Sequence, residues 1–363
     1  MKTITVTTLR SINYGAVLQA YALHRFLSKL KIDNQLLDYA RKTSIYSPLT
    51  IGFRKIFLIQ LVQNVMTFFN RKAVKQMYTR FDSFISTNLS VTKHFDSYDE
   101  LLCTDFDTDA FITGSDQVFG LRGAYDKIRT LQFVSSRIPC YSYAASLGEY
   151  DWNSDEKVRF SNILKGYEAV SVREIYAKQY LESFIPIECK VHIDPVFLLT
   201  KEEWVTVGSK SYTKKFGKYI LCYPLVGNHS TQELIDKLKK QTGYNIVCVL
   251  NRPIKSIKAD FYCFDAGPAE LISLILNSEV VVTTSFHGTA LSILFERPFY
   301  TLIKEYKSQR MTDLLKMMNL SNRIYSGQEL TLDINFLTAR ERIAIERQKS
   351  TDYLLQLFQS IKR

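Results

Sequence analysis

The sequence predicts an α/β protein built from two Rossmann-like halves that face each other across a cleft. Three observations lead there. Strand-like runs alternate with helical patterns along most of the chain, the mark of parallel sheets with crossover helices. The chain has 363 residues, which at roughly 100–200 residues per domain suggests two domains with ample core. A polar stretch at Lys201–Gly217 separates two series of such alternations.

In the first series, Thr3–Thr8 reads as a strand, followed by a polar turn and a helix from Gly15 to about Leu30 carrying Leu18, Tyr21, Ala22 and Phe26. Gln35–Tyr39 is the next strand, and Asp109–Thr113, Pro139–Ala145, Ala169–Val172 and Val191–Ile193 continue the sheet. In the second series, Tyr219–Tyr223 and Asn245–Leu250 flank a helix over Thr231–Gln241. Pro268 and Glu270 mark a helix start. Val280–Thr284, a continuous β-branched run, reads as a buried strand. A helix over His287–Phe295 and a strand over Phe299–Ile303 follow, and Asn335–Ile361 is a long amphipathic helix. The expected domains are 1–200 with a basic helical insertion at about 41–100, 218–330, and a terminal helix, 331–363, packing back toward the first domain.

Composition excludes several classes. Hydrophobic residues make up 46% and charged residues 23%, an ordinary globular balance that rules out disordered, collagen-like and low-complexity chains. The most apolar stretch, Ile51–Asn70, is broken by Arg54, Lys55, Gln60, Gln63 and Asn64, short of the ~20 apolar residues of a membrane span. MKTITVTTLR alternates like a strand and lacks the apolar core of a signal peptide. Six scattered cysteines without a CxxC pair, four of them in strand-like runs, read as reduced core thiols of a cytoplasmic protein, with no zinc site or disulfide expected.

The net charge of +11 is uneven. Arg41–Arg80 contains eight basic residues and no acidic one. Within it, apolar positions 53, 57, 61, 65 and 68 and polar positions 60, 63, 64, 67 and 70 segregate on a helix. Two readings stand: a surface that docks on an anionic membrane as a peripheral protein of the inner face, or an inserted helical pair packed on the first domain with its lysines solvated. No nucleic-acid recognition motif accompanies the charge.

Doubly wound sheets bind ligands beyond the carboxyl ends of their strands. Four loops lie there: SINYG (Ser11–Gly15), GSDQV (Gly114–Val118), Arg173-Glu174, and SFHGT (Ser285–Thr289). They nominate Asn13, Tyr14, Gly114, Ser115, Gln117, Ser285, Gly288 and Thr289 as substrate-contacting residues. Small residues at a helix start admit an anion to backbone N–H groups. His287 sits at such a start and is the candidate proton carrier. Arg173, on the end of a buried strand, offers a planar fork for a carboxylate or phosphate. A pairing with Glu174 is set aside, because adjacent residues do not face each other on a helix. Asp116 is either a helix N-cap or a catalytic base. Asp194, before Pro195, is as readily a turn former. His24, His94, His192 and His229 read as structural or exposed. GxGxxG, P-loop, HExxH and GxSxG patterns are absent, which disfavours nucleotide hydrolysis, zinc proteolysis and serine hydrolase chemistry.

With these loops in hand, the chain resembles the polysaccharide pyruvyl transferase family. The matching pieces are INYGAVLQAYAL (Ile12–Leu23), FITGSDQV (Phe111–Val118), SYAAS (Ser142–Ser146), SVRE (Ser171–Glu174), HIDP (His192–Pro195) and TSFHGTALSILF (Thr284–Phe295). Where the family carries tryptophan and asparagine after GSDQV, this chain has Phe119 and Gly120; the retained aromatic is read as a pocket wall. The resemblance implies a glycosyltransferase-B-like fold with Arg173 and His287 as the functional pair. It also implies transfer of pyruvyl from phosphoenolpyruvate onto two hydroxyls of a sugar in a polysaccharide precursor, such as exopolysaccharide or capsule. The products are a pyruvate ketal and phosphate. Phosphoenolpyruvate is then a donor substrate, and neither a cofactor nor a metal is demanded. The acceptor implied is a glycan on a lipid-diphosphate carrier. The rival of the same fold is a nucleotide-sugar-dependent glycosyltransferase, with Glu296 on a ribose. A non-catalytic scaffold in polysaccharide assembly is the third reading.

Overall fold

The first strand, β1 (Lys2–Val6), lies inside a seven-stranded sheet. It is joined there by β2 (Asp33–Tyr39), β3 (Val91–Phe95), β4 (Ala110–Thr113), β5 (Cys140–Ser142), β6 (Tyr167–Val172) and β7 (Cys189–Val191), in the order β3-β2-β1-β4-β5-β6-β7. A second sheet holds β8 (Tyr219–Tyr223), β9 (Asn245–Val249), β10 (Phe261–Cys263), β11 (Val280–Thr283) and β12 (Phe299–Thr301), in the order β10-β9-β8-β11-β12. Every neighbouring pair in both sheets is parallel. These features come from a computed structural model that describes residues 1–39, 68–120, 126–148, 152–225, 229–251, 257–303 and 309–361. Both sheets follow the doubly wound order, so each has a switch point where the chain reverses direction across the sheet. In the first sheet it lies between β1 and β4, in the second between β8 and β11. The α/β architecture of two Rossmann-like domains read from the sequence is the one found.

The helix after β1, α1 (Tyr14–Lys29), is capped by Asn13, whose side chain accepts from the Ala16 N–H at 3.3 Å. Its residues from Tyr14 to Leu23 are all buried, because it lies between the two sheets' domains rather than on an outer face. One apolar cluster runs from Val17 and Leu18 on α1 through Val196 and Phe197 to Leu271 and Ile272 on α9 (Pro268–Leu276). It continues to Ala290 and Leu291 on α10 (Phe286–Leu294) and to Leu354 and Leu357 on α12 (Leu337–Ile361). The domains therefore share a core. α12 also returns to the first domain by hydrogen bonds: Arg347 donates to the carbonyls of Phe197 and Leu199, and the Tyr353 hydroxyl donates to that of Ser142.

The polar stretch 201–217, read as the boundary between the two domains, is itself folded. It contains α7 (Lys201–Val207), closed by a capping box between Thr200 and Glu203, with Trp204 fully buried and its indole N–H on the Val196 carbonyl. Phe119 is not a pocket wall; it is fully buried in the core of the first domain against Phe160. Within the basic segment, residues 40–67, which include most of the predicted amphipathic stretch, lie outside the described residues. The rest forms α2 (Arg71–Asn88), which buries Val74, Met77, Phe81, Phe84 and Ile85. Arg80 is not on a free basic face: it pairs with Asp265 at 2.8 Å and Glu270 at 3.5 Å, tying α2 to the second domain.

No helix among the described residues is long and apolar enough to cross a membrane. All six cysteines are free thiols, five of them buried.

Candidate active site

Three strand ends of the first domain and one of the second converge at the cleft. Parallel pairing of β6 with β7 places Ser171 beside Lys190 and Val172 beside Val191. The residues just beyond them, Arg173 and the segment His192–Asp194, therefore leave the sheet side by side. The Asp194 carboxylate does two jobs. Its Oδ1 accepts the Val196 N–H at 3.0 Å, capping the 3-10 turn Pro195–Leu198, as a turn former would. Its Oδ2 accepts from Arg173 Nη1, lies 3.5 Å from His287 Nε2, and lies 3.4 Å from Ser115 Oγ. One oxygen thus joins the two candidate residues across the domain boundary.

His287 reaches this point from the second domain. β11 delivers Ser285, whose side chain caps α10 by accepting the Gly288 N–H at 3.3 Å. His287 follows in the first turn, only 8% exposed. Its neighbour Phe286 places its ring 4.2 Å from the Arg173 guanidinium carbon, a cation–π contact between the domains. Gly288 must be glycine, because a Cβ there would stand 2.5 Å from Thr283 Oγ1.

Electrostatics fix the protonation of the buried pair. Burial opposes charge on both partners, but it is outweighed. Asp194 is held well below the usual carboxylate range by His287, Arg173 and the Val196 N–H. Arg173 is held cationic even more firmly than an ordinary arginine by Glu174, Asp194 and Asp116. Arg173 Nε also donates to Glu174 Oε1 at 3.0 Å. That pairing, set aside from sequence, is real: Glu174 precedes α6 (Ile175–Glu182) in extended conformation, so the rule for helical neighbours does not govern it. Arg173 Nη2, Glu174 Oε2 and His287 Nε2 are buried without a hydrogen-bond partner. Such orphaned polar atoms are costly in a folded core and cluster where a ligand completes the bonding.

The polysaccharide pyruvyl transferase family model matches residues 13–303, most of the chain. The protein belongs to that family. Solved structures of low identity share its fold. The UDP-GlcNAc 2-epimerase of Neisseria meningitidis, bound to UDP-GlcNAc, is 15% identical with a TM-score of 0.51, covering 98% of this chain and 100% of its own. That of Rickettsia bellii is 11% identical with a TM-score of 0.52, covering 100% and 98%. The S. aureus MnaA structure with UDP is 11% identical with a TM-score of 0.55, covering 100% and 98%. No curated protein sequence matches. Together with the two doubly wound sheets these place the chain in the glycosyltransferase-B-like fold.

In this pyruvyl transferase the remaining nominated residues divide into two groups. Asp116, half-buried with φ +76°, acts electrostatically on Arg173 and lies at the cleft beside the exposed Gln117. Asp116 is thus no cap of a regular helix. Ser115 is buried and backs Asp194. The second group is structural. Asn13 caps α1. Tyr14 is 1% exposed, and its hydroxyl donates to the Ala266 carbonyl of the second domain, so it offers no surface to a substrate. Gly114 packs against Thr5 and Thr7. Thr289 is buried, bonded to the Ser285 carbonyl and close to Thr301. The histidines read as structural are so placed: His24 on Asn34, His94 on Asp38, and His192 on Ser171. His229 opens α8 (His229–Thr242) and is exposed. Asp194 is the residue whose role sequence reading missed, although HIDP was in view.

Proposed function

We propose that the protein transfers the enolpyruvyl unit of phosphoenolpyruvate onto two hydroxyls of a sugar in a polysaccharide precursor, forming a pyruvate ketal and inorganic phosphate. The observation that carries this reading is the meeting of Arg173 and His287, from different domains, on one oxygen of Asp194. In this reading His287 Nε2 gives its proton to the methylene carbon of the donor, and the resulting cation at the central carbon is attacked by the first sugar hydroxyl. The hydroxyl's proton returns to His287, with Asp116 as the alternative base. The C–O bond to phosphate then breaks, phosphate leaving with the electron pair. The second hydroxyl closes the ketal, its proton passing to the phosphate. Asp194, whose Oδ2 lies 3.5 Å from that same nitrogen, offsets the positive charge of the ring while it is protonated. Arg173, bonded through Nε to Glu174 and through Nη1 to Asp194, orients Asp194 and keeps Nη2 for an oxygen of the donor.

The test is phosphate release from phosphoenolpyruvate with acceptor present. Arg173→Ala and His287→Ala abolish it; wild-type turnover in either sinks the assignment. The second reading is a nucleotide-sugar-dependent glycosyltransferase, and the similar structures bound to UDP-GlcNAc and to UDP favour it. Against it, Glu296 is ion-paired with Arg340 of α12 at 2.7 Å, so the carboxylate assigned to a ribose is engaged elsewhere. Thermal-shift titration separates the readings: phosphoenolpyruvate stabilises the transferase, a UDP-sugar the rival, and neither ligand a scaffold. The acceptor we propose is a glycan on a lipid-diphosphate carrier, met at an anionic membrane surface. Exposed Phe68 and Phe69 beside Arg71, Lys72 and Lys75 support that extension.

A further inference from the structure

The buried polar atoms left without a hydrogen-bond partner at the site, Arg173 Nη2, Glu174 Oε2 and His287 Nε2, are not chemically equivalent. A guanidinium nitrogen only donates, a protonated imidazole donates at both nitrogens, and a carboxylate oxygen only accepts. Phosphoenolpyruvate brings ionised phosphate and carboxylate oxygens, which accept. It can satisfy Arg173 Nη2 and His287 Nε2, but it has no donor for Glu174 Oε2. The other substrate of the reaction, a sugar, brings hydroxyls, which donate.

Glu174 follows Arg173 on the carboxyl edge of the first sheet, between β6 and α6, and is 3% exposed. Its Oε1 is already filled, by Arg173 Nε at 3.0 Å and by the Ser146 hydroxyl at 2.7 Å. The Gly148 N–H in turn donates to Ser146 Oγ at 3.1 Å, so the hydroxyl is fixed as a donor to the carboxylate. One oxygen of Glu174 is thus anchored and the other is left over. Asp194 differs, because both of its oxygens are engaged, Oδ1 by the Val196 N–H and Oδ2 by Arg173. The Arg173 guanidinium joins the two carboxylates, and Asp194 Oδ2 lies 3.5 Å from His287 Nε2. Only that guanidinium and the Asp194 carboxylate separate Glu174 from the proton carrier. A buried carboxylate oxygen without a donor is costly, and a hydroxyl placed on it recovers that cost.

We propose that Glu174 is an acceptor-binding residue, its Oε2 taking a hydrogen bond from a hydroxyl of the sugar that receives pyruvyl. A bond to an ionised acceptor is about twice as strong as one between neutral groups, so this contact carries a large share of the affinity for the sugar. Glutamine at this position is a close test. Its amide oxygen goes to Arg173 and Ser146, which both donate, and this turns the amide NH2 into the place of Oε2. An acceptor becomes a donor while the shape is kept.

This inference rests on pyruvyl transfer to a sugar, so the experiment reads sugar binding separately from turnover. Calorimetric titrations of the full-length wild type, Glu174→Gln and Glu174→Asp use two kinds of probe. One is phosphoenolpyruvate; the other is the methyl glycosides of galactose, glucose and mannose, with inorganic phosphate present to fill the donor site without turnover. In Glu174→Gln the glycoside that the wild type binds best loses roughly ten- to a hundredfold in affinity. Affinity for phosphoenolpyruvate holds or rises, because a negative charge has left the site. Glu174→Asp serves if the glutamine variant does not fold: it keeps the charge beside Arg173 but is one methylene short, and it too loses affinity for the sugar alone. An equal loss for phosphoenolpyruvate and sugar leaves Glu174 only the task of holding Arg173 and overturns the proposal. Unchanged sugar affinity in Glu174→Gln overturns it as well, as does a wild type that binds none of the glycosides. Glu174-dependent sugar binding without any phosphate release from phosphoenolpyruvate leaves the acceptor site standing and rejects pyruvyl transfer instead.

Discussion

Gly15, the second residue of α1, lies so close to the imidazole of His287 that a Cβ on it would stand 2.1 Å from Nδ1. The first domain thus presses its helix start against the ring that the second domain supplies. Gly15→Ala must push the ring away or part the domains. Overpacking of this kind costs about 1–3 kcal/mol of stability. The larger effect falls on turnover, because His287 leaves Asp194: kcat drops by about 100-fold or more. Steady-state kinetics beside a denaturation curve measure both. Wild-type kcat in Gly15→Ala means the contact does not set the geometry.

Asp194→Asn separates the charge of the bridging carboxylate from its shape. The native carboxylate ionises well below its unfolded value, despite burial, because of His287 and Arg173. It therefore stabilises the fold at pH values above the ordinary carboxylate range, and that contribution is lost as pH falls through that range and below. Asparagine removes the charge and leaves Arg173 buried with one strong partner fewer, at a cost of about 3 kcal/mol or more near neutral pH. The variant's stability then falls less steeply on acidification than the wild type's. Parallel acid profiles for the two proteins refute the assignment.

Periodicity located the strands whose two faces are both buried, such as β11 (VVVT) and β8 (YILCY). It missed β3, an edge strand whose Thr92, Lys93 and His94 face solvent in part, and the three-residue β10. At the site, position just beyond the strands marked Arg173 and His287, since the carboxyl edge of a parallel sheet is where side chains leave a rigid frame, and the SVRE and SFHG resemblance singled out the same two. What they bond to depends on the lateral register of β6 and β7, which brings together residues 21 positions apart. That register cannot be read from either strand by itself.

His192 predicts a second acid-sensitive contact, outside the site. Burial, aided by Lys190 and Lys349, lowers its pKa to about 4. The ring stacks on Tyr353 of α12 at 4.2 Å and hydrogen-bonds Ser171 Oγ through Nδ1. A histidine kept neutral in the fold but protonated in the unfolded chain makes stability fall as pH drops from about 6.5 toward 4. The full loss is about 3 kcal/mol. His192→Gln flattens this limb of the stability curve and leaves the steeper loss below it, which belongs to Asp194. Urea titrations at pH 7, 5.5 and 4.5 read the difference, and an unchanged slope in the variant rejects the assignment.

The proposed membrane docking uses only part of the basic segment. Arg80 is engaged with Asp265 and Glu270 and stacks over Tyr212, so it holds α2 to the second domain. Arg71, Lys72 and Lys75 are exposed at the start of the same helix, beside Phe68 at 60% and Phe69 at 77% exposure. Basic residues near an anionic leaflet each contribute about 1 kcal/mol. Replacing Arg71, Lys72 and Lys75 by serine therefore lowers flotation with anionic liposomes by roughly two orders of magnitude in affinity. Phe68→Ser with Phe69→Ser lowers it further by removing apolar insertion. Arg80→Ala leaves flotation unchanged but lowers the unfolding midpoint. Equal recovery of wild type on anionic and neutral vesicles, or none on either, removes the docking surface and leaves α2 as an inserted helix with solvated lysines.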